Sequence, residues 1–113
     1  MKPVMKPLIA ALAVAAALAG TTTGALAADR WVKIFNNTST TVYRFYASPN
    51  NTNSWGQDRL GRKQIPSGYN STINLNGAGG GCIFDLRAEF TDGDSLEKYG
   101  INVCGGYTIN YYD

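Results

Sequence analysis

The sequence predicts an all-β fold: a small antiparallel β-sandwich of six or seven strands, immunoglobulin-like or C2-like, closed by one disulfide. Three observations carry this. Beyond residue 27 the chain is rich in Gly, Asn, Thr, Ser and Tyr and poor in Ala, Leu, Lys and Glu, so strong helix formers are scarce. Apolar residues recur in short alternating runs, the period of a half-buried strand. Turn residues separate the runs. A small barrel is the alternative architecture.

The first strand is Trp31 to Asn36, ended by Asn36-Asn37-Thr38-Ser39. The second is Thr41 to Ala47, with Tyr43, Phe45 and Ala47 on one face and Val42, Arg44 and Tyr46 on the other. The intervening turn predicts that the two form a hairpin. Ser48 to Gly56 is a long polar loop holding Pro49 and Trp55. Leu60 to Ile65 reads as a short edge strand stopped by Pro66-Ser67-Gly68, and Ser71 to Asn76 as another strand. After the Gly-rich run at 77–81, Cys82 to Thr91 alternates most clearly. Phe84, Leu86, Ala88 and Phe90 point one way; Asp85, Arg87 and Glu89 point the other. Asp92-Gly93 signals a type I′ turn. Ser95 to Val103 returns as the partner strand, and Tyr107 to Tyr112 is the last.

Cys82 and Cys104 are the only cysteines. An even count in a small exported domain reads as a disulfide. With Asp92-Gly93 at the turn, hairpin partners have numbers summing to about 185, and the two cysteines sum to 186. They therefore face each other near the open end of one hairpin, within one residue of register; an inter-sheet bridge is the alternative. Closing a loop of about 23 residues stabilises the fold by roughly 3 kcal/mol on the chain-entropy model. That is a large share of a typical total of about 5–15 kcal/mol. A zinc pair would need carboxylates to complete it, since there is no His.

The N-terminus explains why a disulfide is expected at all. Lys2 and Lys6 precede an unbroken apolar stretch, Leu8 to Ala19. Gly20 to Gly24 breaks it, and Ala25-Leu26-Ala27 has the small-residue pattern of a cleavage site. Residues 1–27 thus read as a signal peptide of the general secretion route, and residues 28–113 as a single domain, periplasmic or secreted. The apolar stretch is shorter than the roughly 20 residues a membrane span needs, so no stable span is expected after cleavage. Two of the ten Lys and Arg lie in the signal, which leaves eight against eight acidic residues. A net charge of zero gives no broad drive toward nucleic acid or anionic membranes. Arg59, Arg62 and Lys63 are the one local basic cluster and read as a solvated loop.

With no His, neither a Ser-His-Asp nor a Cys-His arrangement is possible. A disulfide removes the thiolate nucleophile. Acid–base chemistry falls to carboxylates alone, and a glycosidase would need two of them facing across a cleft. An enzyme and a cofactor are not expected. Asp92-Gly93-Asp94-Ser95 superficially resembles part of a calcium loop, but the continuation and flanking helices of an EF-hand are lacking. Loops of a sandwich can still gather ligands, which makes Asp58, Asp92 and Asp94 the candidate metal set. Trp55-Gly56-Gln57-Asp58-Arg59-Leu60-Gly61 is the most distinctive segment. Asp58 suits an Asx-turn and Leu60 a core anchor. Trp55 either lids one end of the sandwich or is exposed, with Asp58 nearby, as a sugar-stacking surface that Tyr107, Tyr111 and Tyr112 extend. Asp85, with Arg87 on the same side, reads as a surface or semi-buried ion pair.

Taken in order, Tyr46-Ala47-Ser48-Pro49, the Trp55–Gly61 segment, Ile65-Pro66-Ser67-Gly68, Cys82-Ile83-Phe84-Asp85-Leu86-Arg87-Ala88 and Asn102-Val103-Cys104 resemble a group of small exported proteobacterial proteins without an established activity. Proteins of that group sometimes carry an argininosuccinate lyase label, which these residues do not support. That enzyme is several times longer, helical and cytosolic, and its Ser-containing signature loop is absent here. The resemblance implies export and a disulfide-bearing β-domain, and supplies no catalytic or binding residue. The expected function is non-enzymatic binding of an envelope or extracellular protein or a glycan. A calcium-dependent module and a small carboxylate hydrolase are the alternatives.

Overall fold

In the computed structural model, described for residues 29–113, the chain forms six strands and no helix. They are β1 (Trp31–Asn37), β2 (Val42–Pro49), β3 (Asn70–Asn74), β4 (Ile83–Phe90), β5 (Ser95–Asn102) and β6 (Tyr107–Tyr112). The expected signal peptide lies outside the described residues. Two three-stranded sheets, ordered β3-β1-β6 and β2-β4-β5, make the sandwich. Strand β1 pairs antiparallel with β3 and parallel with β6. The other sheet is antiparallel throughout.

One apolar core lies between the sheets. Val32, Ile34, Ile73, Ile109 and Tyr111 enter from one side and Val42, Phe45, Ala47, Phe84, Leu86, Ala88 and Phe90 from the other. The alternation read in β4 is the one observed. Burial of these side chains is the main driving force, at about 25 cal/mol per Å² of apolar surface. Packing at one end tolerates no extra atom: a Cβ on Gly106 would fall 2.0 Å from the Trp31 ring. The Cys82–Cys104 disulfide forms, with Cα atoms 5.2 Å apart. It joins the open end of the β4–β5 hairpin, as the register argument required, and Val103 N donates to Cys82 O beside it (2.8 Å).

Four local expectations are corrected. Strands β1 and β2 are not a hairpin; they belong to opposite sheets. The buried Asn36 side chain is the reason. Its Oδ1 accepts from Thr38 N and Thr38 Oγ1, and its Nδ2 donates to Thr40 O and Ile65 O. This builds a wide corner that carries the chain across the core, while both edges of β1 are taken by β3 and β6. Tyr43 does not share the core face with Phe45. A register shift between Val42 and Arg44 makes Tyr43 the extra residue of a bulge, so Val42 turns inward.

Leu60 to Ile65 is not a strand. Only Ile65 pairs, bridging Val42, with Val42 N to Ile65 O at 3.0 Å and the reverse at 2.9 Å. The β4–β5 connection is not a two-residue type I′ turn either. Gly93 N donates to Phe90 O and Phe90 N to Asp94 O, both at 2.9 Å, around the three-residue loop Thr91-Asp92-Gly93 with Gly93 at φ 97°. This is the type I turn followed by a G1 bulge. A second bulge opposes Asp85 to Tyr99 and Gly100 and restores the register before the cysteines.

Tyr111 tests the core. Its ring packs edge-on to Phe90, and its hydroxyl is buried without a hydrogen-bond partner. Burial, with a smaller contribution from Tyr107, raises its pKa far above the ordinary phenol value. The neutral form is thus favoured in the fold. The stability this supplies is fully present below about pH 10, the unfolded value, and is lost as pH rises toward the folded value. Denaturant titrations should show wild-type stability falling above about pH 10 more steeply than that of Tyr111→Phe. At neutral pH Tyr111→Phe should be neutral or stabilising by up to about 1 kcal/mol, because it removes an unsatisfied buried hydroxyl.

Candidate functional site

The candidate site is the outer face of the β2-β4-β5 sheet. Residues that alternate with the core positions come into register there: Arg44 beside Glu89, Tyr46 beside Arg87, Ser48 beside Asp85, and Glu97 on the other flank of Arg87. Arg87 is the hub. Its Nε donates to Glu89 Oε2 at 2.9 Å and its Nη1 to Glu97 Oε2. Arg44 lies 3.7 Å from Glu89, and Tyr99 OH donates to Glu97 Oε1. Burial works against the Arg87 charge, but the hydrogen bonds to Glu89 and Glu97 outweigh it and hold the guanidinium above its ordinary value. The bond to Glu97 likewise raises the Tyr99 phenol. Two cations and two anions thus form a neutral, interlocked row.

The loop that follows β2 folds back over this face. Asn50 N donates to Ile83 O (3.1 Å), Thr52 N and Oγ1 turn the chain on Pro49 O, and Gly56 N donates to Ser54 Oγ. Trp55 then reaches across β4 to lie 6.1 Å from the Tyr99 ring of β5, tilted by 31°. It is only 7% exposed and is not part of the core between the sheets. Both readings of Trp55 are corrected: it lids the outer face rather than an end, and it is no exposed stacking platform. Asp85 is corrected too. It is fully buried, and its Oδ1 accepts from Gly100 N at 2.9 Å, pinning the bulge in β5.

Between loop and sheet runs an open groove of about 540 Å³. Tyr46, Arg87 and Glu89 form its floor; Asn53, Ser54, Trp55 and Gly56 form its wall. Alternation already placed Tyr46, Arg87 and Glu89 on polar faces. What brings them together is the β2–β4 pairing, which two separated runs of sequence do not reveal.

The other candidates are dispersed. Asp58 makes the expected Asx-turn, its Oδ1 accepting from Leu60 N (3.0 Å) and from Phe45 N (2.9 Å), and Leu60 is in the core. Arg59 N donates to Phe45 O, so this segment caps the free edge of β2. Asp92 accepts from Asp94 N at the hairpin tip. Asp58 borders one cleft, and Asp92 and Asp94 border another. Among the described residues no group of three metal-ligating side chains comes together. Tyr107, Tyr111 and Tyr112 belong to the opposite sheet and do not extend the Trp55 surface. Among the described residues no helix is long and apolar enough to cross a membrane. Comparison with protein-family models, with curated proteins and with solved structures gives no match.

The burial of Trp55 has a direct readout. In a Trp31→Phe variant Trp55 is the sole tryptophan. Its emission should be blue-shifted and resist iodide quenching, and Trp55→Ala should cost about 3–5 kcal/mol of stability. Red-shifted, freely quenched emission would contradict the lid.

Proposed function

We propose that this chain works outside the cytosol as a non-enzymatic binding module, and that its ligand is a neutral glycan held in the groove between the Trp55 loop and the β2-β4-β5 sheet. The carrying observation is the lining. A half-buried aromatic ring, Tyr46, lines the groove together with the hydrogen-bonded pair Arg87 and Glu89 and the amide of Asn53. Sugars present both apolar C–H faces and hydroxyls that donate and accept, and this lining offers a partner for each. Its charges cancel, which favours an uncharged ligand over an anionic one. Glu89 and Glu97 are tied to Arg87, an arrangement suited to orienting hydroxyls rather than to exchanging protons.

Two observations support this choice of compartment. Residues 1–27 have the charge, apolar run and Ala-x-Ala ending of an export signal. The Cys82–Cys104 disulfide fits an oxidising environment. The shallowness of the groove favours binding over hydrolysis, since glycosidase chemistry places two carboxylates across the scissile bond.

Amide chemical-shift titration with neutral hexose and N-acetylhexosamine oligosaccharides tests this reading. Saturable shifts are expected at Asn53 to Gly56, Arg87 and Glu89, and Tyr46→Ala should weaken binding about tenfold, roughly the worth of one aromatic contact. Absence of saturable binding across the panel, or shifts centred elsewhere, would overturn it.

A further inference from the structure

A second cleft opens where the chain continues past the Trp55 loop. The Gln57–Lys63 segment and the edge strand β3 enclose a cleft of about 320 Å³. Arg59 and Lys63 stand on one wall, and Ser71, Thr72 and Asn74 on the other. The backbone adds to the second wall. At the two ends of the β1–β3 ladder Asn36 N donates to Tyr69 O and Leu75 N to Arg30 O. Since the register is continuous, Ser71 and Ile73 bond to β1, and Thr72 and Asn74 turn their N–H groups to the free edge.

Of the other six cations among the described residues, Arg62 and Lys98 form no ion pair, but four are engaged. Arg30 is occupied by the carbonyl oxygens of Gly79, Gly80 and Gly81, Arg44 and Arg87 by carboxylates, and Lys33 lies over the Phe35 ring. Among the described residues neither Arg59 nor Lys63 forms an ion pair. The Arg59 guanidinium donates only a long bond, Nη2 to Ala47 O at 3.3 Å, and its Nε is buried without a partner among the described residues. A buried donor with no acceptor is an exception that calls for a reason. Asp58 is the one carboxylate on the cleft, and two backbone N–H groups already hold its Oδ1.

We propose that this cleft binds the tetrahedral oxyanion of a phosphate or sulfate group. The wall groups are mainly donors: guanidinium, ammonium, two hydroxyls and two edge amides. Their net charge with Asp58 is positive within a domain that is neutral overall. A tetrahedral anion presents acceptor oxygens to both walls at once, and charge-assisted bonds of this kind are the strong ones. The site is separate from the proposed glycan groove, and neither reading depends on the other.

The test is an amide-shift titration of the protein at constant ionic strength with inorganic phosphate, inorganic sulfate and a hexose phosphate. Saturable shifts are expected at Arg59, Lys63, Thr72 and Asn74. Lys63→Gln, at an exposed position, should weaken binding about fivefold or more, and Lys98→Gln, on β5 and away from the cleft, should leave it unchanged. Tighter binding of the hexose phosphate identifies an ester as the ligand, and equal binding a free anion; both support the site. Linear, unsaturated shifts, or equal weakening by Lys63→Gln and Lys98→Gln, would overturn it.

Discussion

Strand β4 has two faces, and the rest of the domain depends on keeping them apart. A strand turns successive side chains to opposite sides. Over Phe84 to Phe90 this places four apolar residues in the core and leaves Asp85, Arg87 and Glu89 outside. A slip of one residue would exchange the two sets completely. The apolar set holds the sheets together, and Arg87 and Glu89 of the polar set form the floor of the candidate groove. Fold and site are thus two readings of one alternation.

Several devices protect that register. The G1 loop at Gly93 starts the hairpin, the bulge opposite Asp85 corrects its phase, and the disulfide closes its far end. Sheet edges are also managed. Asp58, Arg59 and Ile65 cap the outer edge of β2. Strand β5 is exposed along most of its length, but it carries the bulge and sets Lys98 opposite Leu86, on the core side. Bulges and inward-pointing lysines are recognised defences against edge-to-edge aggregation. Strand β3 lacks such a cover, and its free edge forms one wall of the second cleft.

Local features were the legible ones. Six of the seven strand candidates, the cysteine pair, the Asx-turn at Asp58 and the anchoring of Leu60 follow from the chemistry of neighbouring residues. Features that depend on remote partners were not. The hairpin expected between β1 and β2 fails because Asn36 spends its amide on Thr40 and on the distant Ile65. Trp55 read either as a lid on one end of the sandwich or as an exposed ring, and its cover of the outer face depends on its reach to Tyr99 on another strand. Asp85 looked like an ion-pair partner of Arg87 because the bulge that takes its carboxylate lies on another strand. The groove was half legible. Its side chains were on the correct faces, and its assembly required the pairing of β2 with β4.

The central claim is that the polar face of β4 is the working surface. Intermolecular nuclear Overhauser contacts between the protein and a bound neutral oligosaccharide test it most directly. Contacts are expected from sugar ring protons to the Tyr46 ring and to the Arg87 side chain, under the wall formed by Asn53 and Ser54. Contacts confined to the opposite sheet, at Tyr112 or Lys33, would contradict it.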